Sequence, residues 1–292
     1  MYALVVTAAL AGCSHSKPNA APSTWVTGQP SPSISAPRAS YGEQVVLPFG
    51  EAVKSPAGLA ADAGGNVYVL DSHSGKVWKL TPGTNPSALP FTDLGQPVHV
   101  AVDTGGNLYV LDGHGSRVLK LTSGANAPAV LPFNGLKQPG DVAVDATGNV
   151  YVTELATKQV LKLSAGAGGP TPLPFPEGRQ PTNLAVDAAG NVYIAELSTR
   201  QVLKLAAGAS NTSVLPLTGV KQPGGLAADA AGNLYVTDVA NNQVLKFPAS
   251  ASSPATLPFT GLNGPEDIAV DTAGNVYVSD PMNSRVLKLP VR

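Results

Sequence analysis

The residues best suited to chemistry in this 292-residue chain are few: four histidines, a single cysteine and a scatter of carboxylates. His99, Asp141 and Asp267 each stand two positions past a proline (Pro97, Pro139 and Pro265). An imidazole beside carboxylates can serve as a general base, and with them it can hold zinc or another divalent ion. No two of these residues have a recognised metal spacing, so neither a metal nor another cofactor is expected. A serine on a nucleophile elbow is missing, as is a Gly-rich phosphate loop leading from strand to helix. No catalytic residue is assigned on this reading.

The residues that surround these candidates form one unit written six times. Leu-Pro-Phe begins at Leu47, Leu89, Leu131, Leu173 and Leu257, with Leu-Pro-Leu at Leu215, always 42 residues apart. A Gly-Asn pair recurs from Gly65-Asn66 to Gly274-Asn275, the first interval 41 residues and the others 42. Such a period signals a repeat architecture. Each unit offers four strands, here written A to D. In the third unit, A is Asp-Val-Ala-Val-Asp at 141–145, B is Val-Tyr-Val-Thr at 150–153 and C is Gln-Val-Leu-Lys-Leu at 159–163. D is centred on Leu-Pro-Phe, at an edge because proline cannot donate to a ladder. Asp and Gly between A and B suit a tight hairpin. Four short antiparallel strands in about 42 residues make one propeller blade.

The order of the strands predicts a closed ring. A D-type strand at 44–49 precedes the first A strand, and the chain stops just after the sixth C strand at 285–289. Pairing these ends completes the sixth blade. The expected fold is therefore all-β, a six-bladed β-propeller of four-stranded antiparallel blades occupying residues 43–292.

Ahead of it, residues 3–10 are apolar and lead into Leu10-Ala11-Gly12-Cys13, which resembles the lipobox of bacterial lipoproteins. That resemblance implies a signal peptide over 1–13, lipidation at Cys13 and tethering by its acyl chains. No Lys or Arg precedes the apolar stretch, so the true start is expected slightly upstream. Residues 14–42 are rich in Ser, Pro and Ala and read as a disordered linker. With 18 basic and 19 acidic residues the net charge is −1, which gives no reason to expect nucleic acid. The membrane is expected to be met through the lipid anchor only.

The units resemble the NHL repeat: residues 265–271, 274–280 and 283–286 match its Pro-x-Gly-Ile-Ala-Val-Asp, Gly-Asn-Val-Tyr-Val-x-Asp and Asn-x-Arg-Val segments. The Leu-Pro-Phe and Val-Leu-Lys-Leu segments are similar to extracellular sensor domains of mycobacterial serine/threonine kinases. The resemblance implies a cell-envelope protein that senses, binds or adheres through its propeller face.

Features present in every unit are read as structural. The acids Asp71, Asp112, Glu154, Glu196, Asp238 and Asp280 are expected to cap turn amides. The tyrosines from Tyr68 to Tyr277 are expected to pack between blades, and the lysines from Lys79 to Lys288 to be solvated. Function should lie where units differ, on the face shared by D–A connections and B–C turns. At the channel mouth the units carry Gly58, His99, Asp141, Asn183, Gly225 and Asp267. The B–C turns add His73, His114, Lys158 and Arg200, with Asn241 and Asn283. The expected ligand-binding set is thus His73, His99, His114, Asp141, Lys158, Asn183, Arg200 and Asp267. A peptidoglycan fragment, a glycan, a small molecule or a protein would suit it. Replacing Asp141 and Asp267 with Ala is expected to abolish binding with little loss of stability. The alternative is an enzyme, a metal-dependent lactonase or a streptogramin-lyase-like protein, with His99 and Asp141 or Asp267 at the mouth.

Overall fold

A computed structural model describes residues 40–217, 219–249 and 253–292. Cys13, the apolar leader and residues 14–39 of the expected linker lie outside them. Among the described residues, six four-stranded antiparallel sheets are present, each in the order A-B-C-D. The innermost A strands are Pro56–Ala61, Pro97–Val102, Pro139–Val144, Pro181–Val186, Pro223–Ala228 and Ile268–Val270. They touch one another around a central channel. The B strands, such as Val150–Glu154, are buried along their whole length, and C strands such as Gln159–Leu163 follow outside them.

The ring closes through the two ends of the chain, as the order of repeats predicts. Val45–Val46 pairs with Arg285–Leu289, Val45 facing Lys288 and Val46 facing Leu287. Leu47 N donates to Val286 O, Gly42 N to Pro290 O and Arg292 N to Ser40 O. Apolar packing seals the same joint. Leu59, Val67, Val69 and Leu80 of the first blade bury against Ala269, Tyr277 and Val286 of the sixth. Each valine or leucine among them contributes roughly 1.5–3 kcal/mol when fully buried, so the joint is part of the core.

Leu-Pro-Phe departs from expectation. It is not the centre of strand D but the turn that ends it. D strands are as short as Ala129–Val130, and the following Leu131 N makes the last bond to strand C, at Val118 O. Phe133 N then donates to Leu131 O at 2.8 Å, an i to i+2 turn that needs nothing from the proline nitrogen between them. The phenylalanine is thereby folded inward; Phe133 is buried.

The hairpin between A and B is built as its residues suggest. Asp145 Oδ1 accepts Thr147 N and Asn149 N, while Gly148 takes φ +81°. Asp145 Oδ2 also accepts the Tyr151 hydroxyl at 3.0 Å, and the same bond recurs in all six units, from Tyr68–Asp62 to Tyr277–Asp271. The lysines are not simply solvated. Each ammonium lies over the tyrosine of its own unit, between 5.0 Å at Lys246–Tyr235 and 5.5 Å at Lys79–Tyr68. A cation over a ring at that distance is worth about 0.5–1 kcal/mol at exposed sites.

Candidate functional site

The acid that closes each B strand anchors the loops of the mouth face. Glu154 accepts Lys137 N and Gln138 N from the D–A connection, and Ala156 N from the B–C turn. Asp112 does the same for Gly95, Gln96 and Gly115, and also pairs with Arg117. Burial alone would raise Glu196, but the Ser198 and Thr199 hydroxyls and the amides of Gln180 and Thr199 pull it down to about 2. Asn241 and Asn283, on the B–C turns of the same face, tie Gly219 O and Gly261 O to Asp238 and Asp280.

Five of the six A strands carry a register shift after their proline, between Pro97 and His99 and between Pro139 and Asp141, for example, while in the sixth Asp267 directly precedes the strand. Bulges of this kind re-aim a side chain without ending the strand. The result joins three of the predicted residues. His99 Nε2 lies 2.8 Å from Asp267 Oδ2, and His99 Nδ1 lies 2.8 Å from Asp141 Oδ1, the latter at ion-pair distance but outside hydrogen-bonding alignment. The imidazole is 15% exposed and the two carboxylates 2% and 5%. Burial would push the imidazole down, but the charges of Asp141 and Asp267 outweigh it and hold His99 well above its ordinary value. Asp141 is pushed up by its burial, against the opposing pull of His99. At the rim, loss of surrounding water and then the Asp267 charge push the Glu266 carboxyl up.

All four carboxylate oxygens have backbone partners as well. Asp141 accepts Val142 N and Leu184 N, and Asp267 accepts Ile268 N and Leu59 N. Asp141 thus joins the third blade to the fourth, and Asp267 joins the sixth to the first. This corrects the expectation that both could be replaced with little effect on stability: they are buried acceptors in the frame of the ring. It also answers the question of a metal. The lone pairs that would ligate one are directed at amides and at the imidazole, with no shared point between them. Among the described residues no set of three His, Cys, Asp or Glu is disposed to hold an ion. The residues do not fit a metal.

The other predicted residues separate. His114 and Asn183 line a hollow of about 420 Å³ on the mouth face, spanning the second, third and fourth blades. His73 and Arg200 are exposed on their own turns. Lys158 borders a different hollow toward the outside, with Phe175 and Glu177. Sequence reasoning missed Gln96, Val98, Lys137, Gln138, Leu155 and Thr182 in the mouth hollow. The available signal was Gly113, the glycine at a position where later units carry Leu155, Leu197 and Val239.

A ring of six blades, closed by pairing of its first and last strands and carrying an imidazole between two carboxylates at its axis, defines a six-bladed β-propeller. Residues 55–290 match the SMP-30/gluconolactonase/LRE-like family, and the chain belongs to that family. No curated protein matches the sequence. Among solved structures, a gluconolactonase from Xanthomonas campestris superposes with a TM-score of 0.71 at 14% identity, over 85% of this chain and 89% of that one. A streptogramin B lyase gives 0.66 at 13%, over 86% and 98%. An auxiliary nutrient binding protein from Bacteroides thetaiotaomicron gives 0.64 at 14%, over 81% and 69%. At these identities the likeness shows the fold alone.

Proposed function

We propose that this protein is a non-catalytic ligand-binding propeller, a sensor or capture module of the cell envelope, whose recognition site is the mouth-face hollow of the second to fourth blades. One observation carries this reading. Among the described residues the chemically potent group on the axis is held in ion pairs, His99 between Asp141 and Asp267, whereas the hollow beside it is lined by Gln96, Gln138 and Asn183, whose side chains have no hydrogen-bond partner among the described residues. A volume of about 420 Å³ falls within the range of small-molecule sites. The shared fold of an auxiliary nutrient binding protein supports this reading. Tethering through Cys13 completes the proposal and would present the propeller outside the membrane.

A thermal-shift screen of small metabolites against the full chain and against Gly113→Val tests it. A Cβ at 113 would meet Val98 Cγ2 at 2.6 Å, so valine there drives Val98 into the hollow. Ligands should raise the melting temperature of the parent protein and not of the variant. Mass spectrometry of the membrane fraction tests the anchor; an uncleaved, unmodified N-terminus would remove it.

The enzyme reading, a lactonase or a streptogramin-type lyase, is favoured by the family and by two of the fold relatives. It requires His99 to leave at least one of its carboxylates. Turnover of a lactone or streptogramin panel, lost in His99→Ala, would replace the binding proposal.

A further inference from the structure

Resting on the mouth-face hollow as the binding site, we infer that its ligand is a small organic acid of the acylated amino acid type: a free carboxylate, an amide group and a short aliphatic side chain. The charge of the wall gives the first element. Lys137 is the one permanently charged residue lining the hollow, and no Asp or Glu lines it. The carboxylates nearest behind the wall are already engaged. Glu154 turns its oxygens to the backbone amides of Lys137, Gln138 and Ala156, and Asp112 turns its own to Gly95, Gln96, Gly115 and Arg117. Among the described residues no ion pair or hydrogen bond takes up the Lys137 ammonium. An unneutralised cation in a concave wall selects an anion.

The polar groups supply the second element. Gln96, Gln138 and Asn183 line the same hollow, and their side-chain amides have no hydrogen-bond partner among the described residues. Each offers a donor pair and an acceptor side by side, the complement of a peptide group that also offers one of each. The third element is apolar. Val98, Pro139 and Leu155 form a patch of aliphatic wall, which suits a branched or small aliphatic side chain. A sugar ring is disfavoured, because the lining contains no Trp, Tyr or Phe on which its C–H face could stack. Gly113 and Gly140 keep this surface open. A Cβ at 140 would press on Thr153 Oγ1 at 2.9 Å and on Leu155 at 3.2 Å, as one at 113 would press on Val98.

Two ligands that differ only in charge test the inference: N-acetyl-L-leucine and N-acetyl-L-leucinamide, titrated into the ¹⁵N-labelled full chain. The acid is expected to shift the amides of Gly113 and Gly140 and to bind at least tenfold more tightly than the amide. In Lys137→Met that preference should fall below twofold, with the melting temperature unchanged because the ammonium holds nothing in place. Equal affinity for acid and amide, with shifts in the hollow, would overturn the anionic inference and leave the binding site standing. No shift in the hollow with either compound would overturn the inference. The binding reading itself falls only if the metabolite screen also finds no ligand sensitive to Gly113→Val.

Discussion

His99 Nε2 and Asp267 Oδ2 are 2.8 Å apart although 168 residues separate them in the chain. The contact spans from the second blade to the sixth and passes over the first, where the corresponding residue is Gly58. A Cβ there would come within 3.1 Å of His99 Cα and of Val100 N, so the missing side chain lets the imidazole lie where it does. With Asp141 on its other nitrogen, His99 holds three blades together at the axis.

Removing the imidazole leaves two carboxylates buried near one another without their counter-charge. His99→Gln is expected to cost about 3–5 kcal/mol, the range for breaking a buried pair, and Asp267→Asn somewhat less because its amide acceptor role survives in part. Urea titration followed by circular dichroism measures both. A loss below about 1 kcal/mol in His99→Gln would show that the contact does not bind the ring.

The same contact sets a pH dependence. Folding raises the imidazole pKa above the unfolded value of about 6.5, so the folded chain holds that proton more tightly. Its contribution is complete below about pH 6.5 and is lost as pH rises toward the elevated folded value, by at most about 1.4 kcal/mol per pH unit. Stability of the parent relative to His99→Gln should therefore fall as pH rises above about 6.5. Glu196 gives the opposite limb. With its pKa lowered to about 2, its contribution is present above about pH 4.5 and is lost as pH falls, a loss that Glu196→Gln should abolish.

Gly225 faces the same constraint as Gly58, more tightly. A Cβ at 225 would stand 2.7 Å from both Asp267 Cα and Asp267 Oδ1, against backbone that cannot yield. Gly225→Ala is expected to cost about 1–3 kcal/mol through overcrowding. Gly124→Ala, at an open turn with φ +79°, should cost only the backbone strain. Paired melting curves distinguish the two.

Closure by the chain ends gives the most severe prediction. Deleting residues 40–47 removes the D strand of the sixth blade and uncovers Val286, Leu287 and Leu289, all buried in the intact ring. The melting temperature should drop by well over 10 °C, and the truncated chain should expose its apolar edge to dye binding. Melting like that of the full chain would refute the closed ring.

The tyrosine hydroxyls offer a milder test. Tyr151→Phe removes the bond to Asp145 but keeps the ring under Lys162. A loss of about 1 kcal/mol is expected, whereas Tyr151→Leu, which also removes the stacking surface, should lose more.

The 42-residue period made the blades legible, because one unit cannot bury its apolar face without a neighbour. The odd D strand at the start made closure legible for the same reason. The acids from Asp71 to Asp280 were readable as loop anchors since every blade needs one. Legibility ended where tertiary distance decides. Nothing in the spacing of His99, Asp141 and Asp267 tells that the first bridges the other two, for that depends on bulges after Pro97 and Pro139 and on the gap left by Gly58. Leu-Pro-Phe misled because its leucine does pair with strand C, while its proline and phenylalanine turn away. The mouth hollow was hidden because it arises from a side chain that Gly113 lacks, and absences carry little sequence signal.

Below His99 the channel continues as a space of about 130 Å³ walled by aliphatic side chains such as Val102, Val144, Val186 and Val270. His99, ion-paired to Asp141 and Asp267, stands among the residues that line this bore. The hollow of the second to fourth blades opens on the mouth face, so any macromolecule that settles over that face would shut its ligand in or out. Occupancy and docking would then compete for a single threshold.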